Sequence, residues 1–502
     1  MDPLVQAIVL ILQPQHFLLV IGSVLAGIVV GAAPGLTSTM AIGLLVPLTF
    51  TFSKVSAFIL LLGIYCGAIY GGSITAILMN LPGTPTAAVT AIEGHPMTKK
   101  GEGGRALGVA TMSSTLGGLL SCIFLIFLSL KLAKVATWFA GPEYFSLGLF
   151  ATAVVFSLAS KSVIKGLMAA CLGLLLSTVG IDLVAQFPRF TFGIEEIMIG
   201  IPPVPAIIGL FCVAEAFRMA EQTDAVAKVQ KGVSGLVVAY RQLPKLWDTI
   251  LKSGLIGTFV GILPGTGAVV ASFMAYGEAK RTSKHPEQFG KGAIEGVCAS
   301  EAANNAVTGG ALIPLLTLGI PGDTNTLMIM GAMIIHGLIP GPTLFREETT
   351  LVYVIFGTMI LCNLLILPLG LSLAKHIARV ALIKKKYLMP VVSVLAITGA
   401  SIGYGHVYYF WISIIFGFLG YLCQKGGFPV LAVAMTLILG PIMERNLRAA
   451  LMLPDAGIML FLTRPISLIF ILLSILAVVI GLKREAQIRA IEAKQAASVP
   501  TI

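Results

Sequence analysis

The sequence GTFVGILPGTGAVVA at residues 257–271 decides the fold, because a near copy, GIVVGAAPGLTSTMA, occupies residues 27–41. An ungapped alignment of the two stretches gives six identical positions: Gly27/Gly257, Val30/Val260, Gly31/Gly261, Pro34/Pro264, Gly35/Gly265 and Ala41/Ala271. The repeat preserves backbone chemistry, with glycine at every fourth position and then a Pro-Gly pair inside an apolar run. The pattern predicts a helix that is broken at the same point in two related halves.

The composition predicts an integral membrane protein. Hydrophobic residues make up 57% of the chain, charged residues 11%, and the mean hydropathy is +0.97, whereas soluble domains carry about 25% charged residues. Many apolar runs approach the ~20 residues that a helix needs to cross a bilayer, and no series of alternating segments indicates a barrel. We therefore predict an all-α membrane fold with roughly 10–12 transmembrane helices.

The formal net charge of +11 does not indicate a nucleic-acid partner. Lys and Arg are collected in short connections between apolar runs, as in the cytoplasmic loops of membrane proteins. The seven cysteines are scattered singly, without a CxxC pair, so we expect neither a disulfide framework nor a metal site from them.

Polar connections divide the chain into four predicted parts. They are a first membrane repeat at 1–217, a polar cytoplasmic linker at 218–252, a second membrane repeat at 253–482 and a polar C-terminal tail at 483–502. The tail is expected on the cytoplasmic side.

A second Pro-Gly break follows the first in each half. Residues 71–78, GGSITAIL, align with residues 309–316, GGALIPLL, and the breaks Pro82-Gly83 and Pro321-Gly322 come after them. The basic clusters, however, alternate: Lys99, Lys100 and Arg105 follow the second break of the first half, whereas Lys280 to Lys291 follow the first break of the second half. This alternation is typical of inverted-topology repeats.

The path of the chain through the repeated stretch stays open at the sequence level. Lys252 and Lys280 both have the character of cytoplasmic residues, yet a single apolar segment separates them. Either the segment is a re-entrant hairpin that turns at Pro264-Gly265, or one charge cluster breaks the positive-inside rule.

The four breaks are candidate substrate-binding elements. A helix broken inside a bilayer exposes backbone groups that lipid cannot satisfy, and the helix after the break directs N–H groups and its positive dipole end toward an anion. The alternative is a proline kink with close glycine packing. The only Lys or Arg between Gly22 and Thr98 is Lys54, and none lies in 254–279 or 292–345, so an anion there needs backbone N–H, hydroxyl and amide donors. The candidate substrate-binding residues are Pro34, Gly35, Thr37, Ser38, Asn80, Pro82, Gly83, Thr84, Pro264, Gly265, Thr266, Gly267, Asn304, Asn305, Pro321, Gly322, Thr324 and Asn325, with the hydroxyls of Thr39, Thr86 and Thr326 beside them.

Two carboxylates lie in apolar context, where ionised groups are costly and usually functional. Asp323 and Glu301 are candidate cation-coupling residues that hold Na⁺ or carry a proton, with a possible Na⁺ site near Asp323. The alternative is a helix cap at the membrane edge. We recognise no catalytic residues and no motif for an organic cofactor.

Several motifs together resemble the TctA family, the large membrane subunit of bacterial tripartite tricarboxylate transporters. They are GxxxGxxPGL at 27–36, GGSITAILMNLPGTP at 71–85, EGHPM at 93–97, GxxPGTGA at 261–268, ASEAANNAVTGGALIPLLTLGIPGD at 299–323 and HGLIPGP at 336–342. The resemblance implies a secondary carrier in the bacterial inner membrane that imports citrate-like carboxylates with a cation gradient. It also implies two partners, a small membrane subunit and a periplasmic solute-binding protein.

Two other function classes are weighed against a carrier. A proton- or ion-translocating subunit of a different complex typically carries lysines in mid-membrane, which the central runs lack. A membrane-embedded enzyme needs a catalytic set, which we do not recognise. For a carrier we expect alternating access, with paired breaks facing each other near the bilayer midplane.

Overall fold

The computed structural model describes residues 2–158, 162–182, 184–221, 241–383, 385–402, 405–452 and 457–498, and most of these residues are helical. The helices are α1 Pro3–Leu12, α2 Pro14–Ala32, α3 Ser38–Leu45, α4 Lys54–Met79, α5 Ala87–Lys99, α6 Gly103–Ala136, α7 Gly141–Leu158, α8 Val163–Ser177, α9 Glu195–Met198, α10 Pro203–Ile208, α11 Ala214–Glu221, α12 Leu243–Ile262, α13 Gly267–Thr282, α14 Ile294–Leu318, α15 Thr324–Ile335, α16 Pro342–Glu347, α17 Thr349–Ile377, α18 Lys385–Ile402, α19 Val407–Gly426, α20 Val430–Leu451, α21 Leu460–Thr463 and α22 Pro465–Ser498. Strands β1 Gly180–Ile181 and β2 Pro188–Arg189 form one antiparallel hairpin. Within the described ranges, nine helical stretches are long and apolar enough to cross a membrane. The all-α membrane fold is therefore confirmed.

Four interruptions of the helices coincide with the predicted Pro-Gly breaks. We name them the first break (residues 33–37, between α2 and α3), the second break (80–86, between α4 and α5), the third break (263–266, between α12 and α13) and the fourth break (319–323, between α14 and α15). Each occurs where proline removes an N–H donor and glycine or asparagine permits a left-handed turn. Gly35 and Gly265 have positive φ, and α4 and α14 end at the left-handed residues Asn80 and Gly319.

The first repeated stretch forms a helical hairpin. Helices α2 and α4 run in the same direction, because their contacts advance together along both helices. The contacting pairs are His16–Ser56, Gly27–Ile64 and Gly31–Ala68. Two successive long helices can be parallel only if the chain between them returns, so α3 and the 3-10 turn Pro47–Thr51 run back from the first break.

The second repeated stretch has the same geometry. Gly257 packs on Ala303 and Gly261 packs on Val307, so α12 and α14 are also parallel. At the far end of the hairpin, Lys252 on α12 acts electrostatically on Glu278 on α13. The segment that was open at the sequence level therefore doubles back at the third break, and Lys252 and Lys280 belong to the same end of the hairpin.

The two repeats run in opposite directions. Along α4 the residue numbers rise from Ile69 to Ser73, while their partners on α14 fall from Asn304 to Glu301. Lys100 donates to the backbone carbonyl of Lys291 at 2.6 Å, which places the two basic loops at one face. This antiparallel arrangement is the inverted topology predicted from the basic loops.

The helices divide into two compact units: Met1–Thr137 with Ile207–Phe418, and Trp138–Ala206 with Leu419–Ile502. All four breaks belong to the first unit.

In the second unit, Asp182, Arg189, Glu444 and Arg448 form a closed set of ion pairs. Backbone N–H groups of Ala185 and Val184, with Arg448, lower the pKa of Asp182 to about 2. Each unit contains residues from both predicted repeats, so the two compact units do not correspond to the two repeats. The repeat boundaries at 1–217 and 253–482 stay predictions from the sequence. Most of the predicted linker, residues 222–240, lies outside the described residues, and the predicted tail begins within α22.

Candidate functional site

The first and fourth breaks meet at the beginnings of α3 and α15. The Thr39 hydroxyl lies 2.8 Å from the Thr324 hydroxyl and donates to Asn325 Oδ1 at 3.0 Å. These residues are 285 and 286 positions apart in the chain. The structure thus brings together predicted site residues of both repeats.

Asp323 is held by four hydrogen bonds at the beginning of α15. Its Oδ1 accepts from the Thr326 amide and hydroxyl, both at 2.8 Å. Its Oδ2 accepts from the Tyr65 hydroxyl at 2.8 Å and from Asn325 Nδ2 at 3.0 Å. The Asp323 amide in turn donates to the Thr326 hydroxyl, which completes a capping box. Asp323 therefore fixes the N-terminus of α15 and connects it to α4.

Glycine contacts connect the other breaks. In the second repeat, the Gly265 amide donates to the Gly322 carbonyl at 2.8 Å, which joins the third break to the fourth. In the first repeat, a Cβ at Gly83 would collide with the Gly31 carbonyl, so the second break packs on the last turn before the first. Contacts thus run from the second break to the last turn of α2, from the first break to the fourth and from the fourth to the third.

The convergence of α3 and α15 creates an environment suited to an anion. The first turn of a helix has N–H groups without intrahelical acceptors, and the dipole adds positive potential there. Thr37 caps α3 by accepting from the Met40 amide at 3.2 Å, which uses one of the first-turn N–H groups of this helix. Lys54, the first basic residue after α3 in the sequence, pairs with Glu348 at 2.5 Å. An anion at this junction would be bound by backbone and hydroxyl groups.

The remaining predicted residues line the same breaks with more local roles. Thr84 and Thr86 share a hydrogen bond of 3.0 Å, and Thr266 donates to the Val260 carbonyl at 2.6 Å. Asn80 ends α4 in a left-handed conformation, and its side chain is exposed. The residues at bends or helix starts are Pro34, Ser38, Pro82, Pro264, Gly267 and Pro321.

A second polar node surrounds Glu301, whose carboxylate is completely buried on α14. Oε1 accepts from Ser73 at 2.6 Å and from Thr90, and Oε2 accepts from Ser114 at 2.8 Å. Three helices, α4, α5 and α6, supply these hydroxyls. Both carboxylates join a long helix of one repeat to the helix that follows the second Pro-Gly break of the other repeat. Glu301 on α14 binds Thr90 on α5, and Asp323 at the start of α15 binds Tyr65 on α4.

Asn304 and Asn305 lie one helical turn beyond Glu301 on α14 and have no exposed surface. Asn304 Nδ2 makes a long hydrogen bond of 3.4 Å to the Ile69 carbonyl. Within the described chain, Asn304 Oδ1 and both amide atoms of Asn305 have no hydrogen-bond partner. Buried polar groups without partners cost free energy, and each one in a native structure calls for an explanation such as a bound water or ion.

Sequence reasoning missed Glu93, which joins α5 to the connection before α14. Its carboxylate accepts from the Tyr276 hydroxyl and from the Gly292 and Ala293 amides, each at 2.7 Å, and also from the Gly290 amide. Glu93 is the first residue of the EGHPM motif at 93–97, and that motif alone assigns it no role. Its acidic character within an otherwise apolar and turn-forming stretch was the available signal.

These features define a class: a multi-pass membrane protein with two inverted repeats, each built from a helical hairpin and a broken helix. The model of the tripartite tricarboxylate transporter TctA family matches residues 17–435, and the chain belongs to this family. The family forms part of tripartite transporters, so a transport role with membrane and binding-protein partners follows in general terms.

Two relatives come from Agrobacterium vitis. An uncharacterized 52.8 kDa protein in the TAR-I ttuC' 3'region is 39% identical over 472 residues, covering 94% of each chain. An uncharacterized protein in the TAR-II ttuC' 3'region is 35% identical over 226 residues, covering 45% of this chain and 93% of the relative. No solved structure matches.

Proposed function

We propose that this chain is the large membrane subunit of a secondary carrier that imports tricarboxylates or related carboxylates across the bacterial inner membrane. The observation that carries the proposal is the junction of α3 and α15, where two helix beginnings from opposite repeats meet through Thr39 and Thr324. Broken helices of this kind bind anionic substrates in secondary transporters. The TctA membership supports the same substrate class.

In this proposal, a periplasmic solute-binding protein delivers the substrate and a small membrane subunit completes the complex. The carboxylate is held at the breaks by first-turn N–H groups and by the neighbouring Thr, Ser and Asn side chains. Import is driven by a Na⁺ or H⁺ gradient, with Asp323 and Glu301 as the candidate coupling carboxylates. The basic loops and the C-terminal tail face the cytoplasm.

Reconstitution tests the proposal. The chain is co-purified with its small membrane subunit, placed in proteoliposomes and supplied with the binding protein and labelled citrate or other di- and tricarboxylates. We expect accumulation of at least one carboxylate that requires the binding protein and stops when both cation gradients are collapsed. Absence of uptake of every carboxylate tested, with a folded and correctly inserted complex, would refute the proposal.

A further inference from the structure

Glu301, Asn304 and Asn305 form one polar face of α14, which we call the α14 polar face. Residues at i, i+3 and i+4 lie on one side of a helix. The contacts of Glu301 with Ser73 on α4 and Ser114 on α6 show that this side points between those two helices. Packing of Ala302 on Gly117 and of Gly309 on Ser121 keeps α6 along the face.

The electrostatics of this face are unbalanced. A buried carboxylate without a counter-charge is costly, and removing it from water is repaid only by an opposite charge or ample hydrogen bonding. In the described chain, the hydrogen-bond partners of Glu301 are all neutral hydroxyls, and no described Lys, Arg or His forms an ion pair with it. One positive charge would restore the balance.

The unpartnered amides distinguish a metal cation from a proton. A proton on Glu301 would neutralise its charge and would supply only one O–H donor, so at least one of Asn304 Oδ1 and Asn305 Oδ1 would stay without a partner. A small hard cation is bound by oxygen ligands, and carboxylate, amide carbonyl and hydroxyl oxygens are all present at this face. These donors are suited to Na⁺.

The Asp323 carboxylate has less capacity to bind a cation than the Glu301 carboxylate. A carboxylate has about four lone-pair positions, and the four hydrogen bonds to Asp323 use a corresponding number of donors. Adding a cation there would require breaking the cap of α15 or its tie to Tyr65. Glu301 has one bond fewer and unpartnered oxygens beside it.

We propose that the α14 polar face is a Na⁺ site, with the Glu301 carboxylate and the side-chain oxygens of Asn304 and Asn305 as ligands, and that Asp323 positions α15 instead. This deepens the proposed carrier function by assigning the coupling cation and its location. Thr90 on α5 connects the site to the second break, because it donates to Glu301 only four residues after Thr86.

Thermal unfolding of the purified full-length chain in detergent tests the site without transport. A ligand that binds only the folded state stabilises it by RT ln(1 + [L]/Kd), so the unfolding midpoint keeps rising as the ligand concentration increases. NaCl is titrated against choline chloride and KCl at constant ionic strength. We expect the wild-type midpoint to rise with Na⁺ and to respond little to the other two cations.

Three variants sharpen the test. Glu301→Gln should weaken the apparent Na⁺ affinity about tenfold or more. Asn305→Leu should raise the midpoint in choline, because it removes unpartnered amide atoms from the interior, and should lose the Na⁺-dependent rise. Asp323→Asn should lower the midpoint in choline and keep the Na⁺-dependent rise. If Glu301→Gln does not fold, Asn305→Leu decides.

An equal response of the wild type to Na⁺, K⁺ and choline would overturn the site, as would a full Na⁺ response in Asn305→Leu. Loss of the response in Asp323→Asn alone would place the cation at α15 instead. A Na⁺-specific shift without uptake of any carboxylate would keep the site and reject the carrier. Uptake of a carboxylate without a Na⁺-specific shift would keep the carrier and reject the Na⁺ site.

Discussion

At the scale of single residues, Thr39 tests the candidate substrate site because its hydroxyl connects the first break to the fourth. Thr39→Val preserves side-chain shape but removes the hydrogen bond to Asn325 and the contact with Thr324. One hydrogen bond is worth about 1 kcal/mol, so we expect a several-fold to about tenfold loss of carboxylate uptake. Proteoliposome uptake rates measure it.

Thr258→Val is the matched control for Thr39→Val. Thr258 is also buried, and among the described residues its hydroxyl donates to the Gly254 carbonyl of its own helix, at 2.8 Å. We expect near wild-type uptake from this control. Equal losses in the two variants would remove Thr39 from the substrate site.

Gly322 tests the close packing of the fourth break. A Cβ at this position would lie 2.5 Å from the Gly261 carbonyl oxygen and 2.6 Å from the Ala311 Cα, both parts of the backbone. Gly322→Ala must therefore displace a helix, and we expect a large drop in the unfolding midpoint together with loss of uptake.

Gly267→Ala separates steric clash from backbone strain. Gly267 has φ +67° and no atom within 4 Å of an added Cβ, so the change costs only about 1–2 kcal/mol of conformational strain. We expect a smaller drop in the midpoint than for Gly322→Ala. The opposite order would contradict the packing described for the fourth break.

At the scale of elements, Glu93 anchors α5 to the second repeat. Glu93→Gln replaces an acceptor-only carboxylate with an amide that cannot accept all four donors. Hydrogen bonds to charged groups are worth about 1.5–3 kcal/mol, so a loss of at least about 2 kcal/mol is expected.

Tyr276→Phe provides the graded comparison, because it removes a single one of these donors. The unfolding midpoints should follow the order wild type, Tyr276→Phe, Glu93→Gln, from highest to lowest. A Glu93→Gln midpoint equal to that of the wild type would show that the α5 connection contributes nothing.

The sequence was sufficient to predict the breaks but not all their contacts. Proline and glycine act locally on the backbone, so the positions of Pro34, Gly83, Gly265 and Gly322 were readable from composition and spacing. Alternating basic loops predicted the inverted repeats by the same kind of short-range rule.

The partners of the buried carboxylates could not be predicted in this way. Tyr65 meets Asp323 at a separation of 258 residues, and Ser73 meets Glu301 at 228. Nothing in the local pattern of α4 distinguishes Tyr65 from Tyr70, which instead bonds to Thr111. Only the antiparallel packing of α4 and α14 selects these pairs.

At the scale of the whole molecule, inverted repeats predict which loops share a side of the membrane. We expect single cysteines at Lys99 and Lys284, in a background with the exposed Cys171 replaced by Ser, to react with an impermeant maleimide only in inside-out vesicles. The bond between Lys100 and the Lys291 carbonyl requires a common face. Labelling of the two positions from opposite sides would contradict the fold.

The post-break helix of each repeat packs on the other repeat: α5 on Glu301 and Tyr276, α15 on Thr39 and Tyr65. Two identical half-length chains inserted in opposite orientations would make both sets of contacts at once. Within the first unit, helices α2–α5 and α12–α15 therefore have the arrangement of a dual-topology dimer joined in one chain. The two repeats differ in the polar contacts that join them. Asp323 binds Tyr65 in one set of contacts, and Glu301 binds three hydroxyls in the other.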